Sequence, residues 1–292
     1  MCGIVGLFLK DRELQPQLGA LLTDMLVTMS DRGPDSAGIA IYRDAVAGHA
    51  KIAVQSAHPE KDFAGLSDAL GTKVEVVDTH AILTMPIDRA AEVQTKLAQD
   101  HPSLRIMSRG EAIEIYKEVG LPQTVADRFK IPELSGSHGI GHTRMATESA
   151  VTTLGAHPFS TGADQCLVHN GSLSNHNRLR RQLARKGTLV QTENDTEVAA
   201  AYLTHRMAQG ENLGDALEAA LKDLDGFYTF VVGTKDGFGV LRDPIACKPA
   251  VLAETEQYVA FGSEYRALVN LPDIARANVW EPEPATVYFW SH

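Results

Sequence analysis

The apolar run Gly3-Ile4-Val5-Gly6-Leu7-Phe8-Leu9 begins directly behind Met1-Cys2. A short continuous apolar stretch of this kind reads as a buried strand. The chain must therefore bury its own beginning, where most domains leave a loosely held end. No basic segment precedes the run and no small-residue cleavage site follows soon after it, so it does not read as a signal peptide. Other apolar stretches, such as residues 227–233, are far too short to cross a bilayer.

Composition narrows the classes further. Of 292 residues, 44% are hydrophobic and 22% charged, an ordinary globular balance with ample apolar surface to offset chain entropy. The formal net charge of −10 works against binding a phosphate backbone or an anionic membrane surface. Neither nucleic acid nor membrane is an expected partner. Cys2, Cys166 and Cys247 are odd in number and lie at no metal-ligand spacing. A reducing cytoplasm is the expected location. The 11 histidines form no H-E-x-x-H pattern, and no metal site is expected.

Residues 18–29 carry Leu18, Leu21, Leu22, Met25, Leu26 and Met29 at helical spacing, and 36–43 read as a second strand. From about residue 49 the texture changes. Short strands at 73–78 and 104–108 alternate with helices expected at 87–99 and 111–119, so 50–136 reads as an α+β insertion within one 1–292 domain. Short-strand character resumes at 138–145 and 165–169, the latter ending at Asn170-Gly171. Helices are expected at 175–186, 196–207 and 213–224, the second with Asn194 or Asp195 near its N-cap. The last third is strand-rich. Strands, then helices, then strands fit two sheets with helices outside them.

Cys2 carries the chemistry. Once Met1 is removed, the thiol lies beside its own α-amine, whose unperturbed pKa is about 7.7–8.0. One residue then supplies both nucleophile and general base. Taken alone, a cysteine here is more often structural. Four further blocks change that weighting: Arg32-Gly33-Pro34-Asp35-Ser36-Ala37-Gly38, Gly141-His142-Thr143-Arg144-Met145-Ala146-Thr147, Leu167-Val168-His169-Asn170-Gly171, and Thr192-Glu193-Asn194-Asp195-Thr196-Glu197. With Cys2-Gly3-Ile4-Val5-Gly6, and in this order, they resemble class II glutamine amidotransferases, the N-terminal-nucleophile glutaminase family. Arg242-Asp243-Pro244 and Gly262-Ser263-Glu264 also match. The resemblance implies a four-layer αββα N-terminal-nucleophile hydrolase sandwich with the small α+β subdomain inserted.

It also implies roles that the residue types suit. Cys2 is the expected nucleophile on the glutamine side-chain amide, forming a γ-glutamyl thioester that water hydrolyses to glutamate. Asn170, through its side-chain amide, and Gly171, through its backbone N–H, would form the oxyanion hole. Arg144 offers a planar fork for the α-carboxylate and Asp195 a counter-charge for the α-ammonium. Thr147 resembles a substrate-pocket residue, Arg32 the arginine that supports the Cys2 loop, and His169 a buried support. Each has a plainer reading alone: Asn170-Gly171 as a hairpin turn, Asp195 as a helix cap, Arg144 as an ion-pair arginine. Asp31, Glu148 and Ala246 depart from close relatives, and the first two affect pocket contacts.

No second catalytic domain is read after the glutaminase blocks, so the acceptor chemistry is expected on another chain. Gly-His-Thr-Arg-Met-Ala-Thr-Glu-Ser and the stand-alone arrangement resemble the glutaminase-like subunit of split glutamate-synthase-type complexes, in particular N-methylglutamate synthase. That resemblance implies a heteromeric synthase with no cofactor on this chain and with FMN and an iron–sulfur cluster on a partner chain. The 50–136 insertion, which the minimal glutaminase domain lacks, is expected to dock a partner. Two alternatives stay open: an amidotransferase subunit for a phosphoribosyl or amino-sugar acceptor, and a non-catalytic regulatory scaffold that keeps the fold.

Overall fold

The computed structural model describes residues 2–146 and 150–292. The opening run forms the strand Gly3–Leu9, buried along its whole length. It lies at the centre of a seven-stranded antiparallel sheet ordered Asn278–Trp280, Val251–Glu254, Tyr258–Gly262, Gly3–Leu9, His138–Arg144, Ser36–Tyr42, Ile113–Val119. Central pairing on both edges explains how a chain terminus is held without fraying: Gly3 opposes Thr143 on one side, and Val5 opposes Gly262 on the other.

A second sheet is ordered Thr286–Ser291, Gly237–Arg242, Gly226–Thr234, Gln165–Leu173, Phe159–Gly162. Strand periodicity of two divides its side chains between two cores. Cys166, Val168, Val231, Phe238 and Val240 join the core shared with the first sheet. Leu167, Phe230, Val232 and Leu241 face the opposite way, against the helices Asp195–Met207 and Leu213–Asp223. The two sheets approach closely at Gly6, where an added Cβ would lie 2.5 Å from the Phe238 ring. On the outer face of the first sheet lie the helices Leu18–Val27 and Pro122–Arg128, with Leu18, Leu22, Leu26 and Val125 buried. The result is the expected αββα sandwich.

The segment between the second and third strands of the large sheet makes a sheet of its own, ordered Lys73–Val77, His80–Pro86, His49–Gln55, Arg105–Gly110. Its separate core joins Ile52, Val54, Leu83, Val93 and Leu97. Its other face places Ala53, Ile82 and Met107 in the core of the sandwich, and polar contacts tie it further. The Asp164 carboxylate accepts from the backbone N–H groups of Glu111, Ala112 and Ile113 at 2.7, 2.8 and 3.0 Å. Lys51 Nζ lies 2.8 Å from the buried Glu114 carboxylate.

Two sequence expectations fail here. Residues 111–119 were expected to be helical, but Ile113–Val119 is an edge strand paired with Ser36–Tyr42. Alternation had been masked because Glu114 is buried as well as Ile113 and Ile115, its carboxylate held by Lys51 and by the Tyr116 hydroxyl. The third sheet accordingly ends at Gly110, and residues 113–128 belong to the main body. In addition, the strand expected to end at Asn170-Gly171 does not stop there, and the dipeptide forms no hairpin turn. The strand runs on to Leu173, with Asn170 opposite Thr229 and Gly171 opposite Tyr228.

Candidate active site

Cys2 sits at the leading end of the central strand, where the two sheets part. A cavity of about 860 Å³ opens there, and its walls include Cys2, Arg144, His169, Asn170, Gly171 and Asp195. Six of the eight residues singled out from the sequence therefore meet around one space. Arg32 supports it from below, and Thr147 lies outside the described residues.

The carbonyl of Cys2 is fixed by two donors. Arg32 Nε donates to it at 2.9 Å and Asn170 Nδ2 at 3.2 Å. Arg32 is itself buried and ion-paired with Glu264. One residue before Glu264, directly after the Tyr258–Gly262 strand, Ser263 accepts from Ile4 N at 2.9 Å and returns its own N–H to Ile4 O at 2.9 Å. The start of the chain is thus held through its backbone, leaving the Cys2 side chain to face the cavity. Its thiol donates to the Met145 carbonyl at 3.9 Å.

Arg144 ends the strand beside Cys2. The Gly33-Pro34-Asp35 turn grips the backbone next to it: Asp35 N donates to Arg144 O at 3.1 Å, and the Asp35 carboxylate accepts from Ala146 N at 2.7 Å. Gly33 is required by this close approach, since an added Cβ would lie 2.6 Å from the Arg144 backbone.

Gly171 has φ +145° and faces the backbone of the neighbouring strand, where a Cβ would lie 2.0 Å from Phe227 O. Only glycine fits there. Across the cavity, Asn194 caps the helix Asp195–Met207 by accepting from Thr196 N. That division of labour frees Asp195. Its carboxylate accepts from Leu173 N at 2.9 Å and lies 3.6 Å from His169 Nδ1. Burial pushes this carboxyl up, but the His169 contact and the Leu173 N–H outweigh it and bring it down to about 2. Its place in the first turn of the helix also favours a negative charge.

His169 is buried, with Nδ1 3.0 Å from Thr196 Oγ1. Behind it, His142 Nε2 donates to His169 O at 3.2 Å and stacks on His157 at 4.0 Å between ring centroids. Burial pushes His142 down to about 3 and His157 well below its ordinary value, so both are neutral near pH 7.

Two glutamine amidotransferase domain models match the chain, one over residues 1–62 and one over 142–270. A glutamine amidotransferase-like protein GlxB from Rhizobium meliloti is 68% identical, over 100% of this chain and 99% of its own length. The chain belongs to the glutamine amidotransferase family. An amidophosphoribosyltransferase from Methanocaldococcus jannaschii is 32% identical over 56% of this chain and 36% of its own length. The solved glutamine phosphoribosylpyrophosphate amidotransferase of Bacillus subtilis shares the fold, with a TM-score of 0.64 at 20% identity. The match covers 99% of this chain, which spans about half (47%) of that structure's length.

Within this amidotransferase chain, several cavity residues had no signal of their own in the sequence. His157, Phe227 and Lys248 come from three separate loops or strand ends and meet only in three dimensions. Of the departures from relatives, Asp31 is an exposed partner of Arg266 at 3.4 Å and is not among the cavity-lining residues. Ala246 holds φ +53°, the left-handed conformation that favours glycine, between Arg242 and the Asp243 carboxylate. Glu148 lies outside the described residues. No group of His, Cys, Asp or Glu among the described residues is placed to hold a metal ion. None of the described helices is long and apolar enough to cross a membrane.

Proposed function

We propose that this chain hydrolyses the side-chain amide of glutamine through a γ-glutamyl thioester on Cys2. The observation that carries the reading is the meeting of Cys2, Asn170, Gly171, Arg144 and Asp195 around one cavity. Arg144 receives the α-carboxylate of glutamine and Asp195 its α-ammonium, which fixes the amide over the Cys2 thiol. Thr147 completes the substrate pocket in this reading.

With Met1 removed, the Cys2 α-amine takes the thiol proton as sulfur attacks the amide carbon. The carbonyl oxygen becomes an oxyanion. The Asn170 amide carries two N–H hydrogens, one of which serves the Cys2 carbonyl, so the second is left for the oxyanion. The Gly171 N–H is the other donor. Collapse of the intermediate breaks the C–N bond, and the amine returns its proton to the departing ammonia. Water then attacks the thioester, releasing glutamate and the thiol. Arg32 and His169 touch no reacting atom; they hold Cys2 and Asp195 in place.

The ammonia, or the γ-glutamyl group, serves a separate synthase in a hetero-oligomer, of the N-methylglutamate synthase type that the sequence resembles. FMN and the iron–sulfur cluster belong to the partner chain in this reading, and the location is cytoplasmic. The third sheet is the docking element. Its excision should remove residues 49–110 and spare Ile113–Val119, which belongs to the main sheet. The test is glutamate release from glutamine by the purified chain, alone and with its co-purified partners, against Cys2→Ala. Turnover that persists in Cys2→Ala would overturn the mechanism.

A further inference from the structure

Between the third sheet and the sandwich lies a second cleft of about 180 Å³, lined among others by Ser108, Arg109, Lys117, Phe159 and Glu197. We propose that it binds a small carboxylic acid, at a site separate from the glutamine pocket.

The charge balance of the cleft points that way. Arg109 donates to neutral acceptors, Gln94 Oε1 at 2.8 Å and Thr161 O at 3.5 Å. Lys117 Nζ donates to three backbone carbonyls, of Ala156 at 2.7 Å, Pro158 at 3.1 Å and Leu154 at 3.4 Å. Arg109 has no ion-pair partner among the described residues, whereas the three carbonyls take all the donors of Lys117. The single acid on the lining, Glu197, is already engaged: it accepts from Gln191 N at 2.8 Å and from Thr192 N and Oγ1, both at 2.6 Å. Arg109 therefore brings to this cleft a guanidinium with no carboxylate partner among the described residues, in a chain of net charge −10.

Ser108 is a second, independent observation. Its side chain is 1% exposed, it lines the cleft, and its hydroxyl has no hydrogen-bond partner. Buried hydroxyls are ordinarily paired, and an oxygen ligand in the cleft would supply the partner. The guanidinium fork of Arg109 matches the planar geometry of a carboxylate. The remaining walls favour a carbon chain over an inorganic anion. They include the Phe159 ring, 4.5 Å from Lys117 Nζ, and the side chains of Ile106 and Leu154.

Leu154 and Thr192 line both cavities. Leu154 O is a Lys117 acceptor and Thr192 is held by Glu197, so the occupant would touch the supports of the glutamine-pocket wall.

Isothermal titration of the full chain with succinate tests the proposal. One saturable site is expected. Arg109→Gln should weaken it about tenfold or more, the loss typical of a charge-assisted hydrogen bond. Ser108→Ala should weaken it about fivefold. That variant removes a hydroxyl with no partner in the protein, so the test stands even if Arg109→Gln fails to fold. Arg144→Gln and Cys2→Ala, in the glutamine pocket, should bind succinate as the unaltered chain does, whether or not the chain hydrolyses glutamine. Absence of saturable heat, or equal affinity in the unaltered chain and Ser108→Ala, would overturn the site. Equal binding of inorganic phosphate would overturn its assignment to a carboxylic acid.

Discussion

The Arg32 guanidinium holds the carbonyl of Cys2 at 2.9 Å, across 30 residues of chain. The same guanidinium is anchored by Glu264, so the nucleophile's backbone is fixed from two distant parts of the sequence. Replacing Arg32 by Gln removes a charge-assisted bond worth about 1.5–3 kcal/mol. Glutaminase kcat should fall about tenfold to a hundredfold, with the KM for glutamine moving far less. Steady-state kinetics with a thermal melt on the same preparation separates this from unfolding.

The oxyanion pair should respond in two different ways. Asn170→Ala removes a side-chain donor and should lower kcat by about 10²–10³. The protein should fold normally, because Asn170 makes one long side-chain bond. Gly171→Ala instead forces a Cβ to 2.0 Å from Phe227 O at φ +145°. It should cost at least about 1–3 kcal/mol of stability. Urea denaturation of the two variants should place their midpoints clearly apart.

Asp195 titrates at about 2 in the folded chain, below its ordinary value of 3.8. The stability it contributes is complete above about pH 4 and is lost as pH falls through 4 toward 2. Asp195→Asn should flatten that part of the stability–pH profile relative to the unaltered chain. Near neutral pH the same variant should raise the KM for glutamine while leaving kcat within a few-fold, since the carboxylate meets the α-ammonium and not the reacting amide.

Burial lowers Lys117 from 10.5 to about 7. Between those values the unfolded chain binds a proton that the folded chain does not, so stability rises with pH over about 7 to 10.5. Lys117→Met should abolish that rise. Unfolding free energies at pH 7, 8, 9 and 10 for both proteins give the difference directly.

Much of this site was legible because its chemistry lies in short contiguous blocks. Cys2 and its strand, Arg144 at a strand end, and Asn194-Asp195 at a helix start each combine a local structural signal with a reactive side chain. What was not legible depends on tertiary partners. The 113–119 strand hid its alternation because Lys51 and Tyr116 neutralise the burial of Glu114. Asn170-Gly171 has the composition of a turn, yet the pairing with Gly226–Thr234 draws it out straight. The second cleft joins residues 94 to 197 across three sheets, and no spacing along the chain announces it.

The central claim is that Cys2 is an N-terminal nucleophile, and the intact mass of the purified chain tests it most directly. The mass is taken before and after treatment with the glutamine analogue 6-diazo-5-oxo-norleucine. The account predicts loss of one methionine and a single adduct that is absent in Cys2→Ala. Retained Met1 with no adduct would contradict it, because the amine required as base would be locked in a peptide bond.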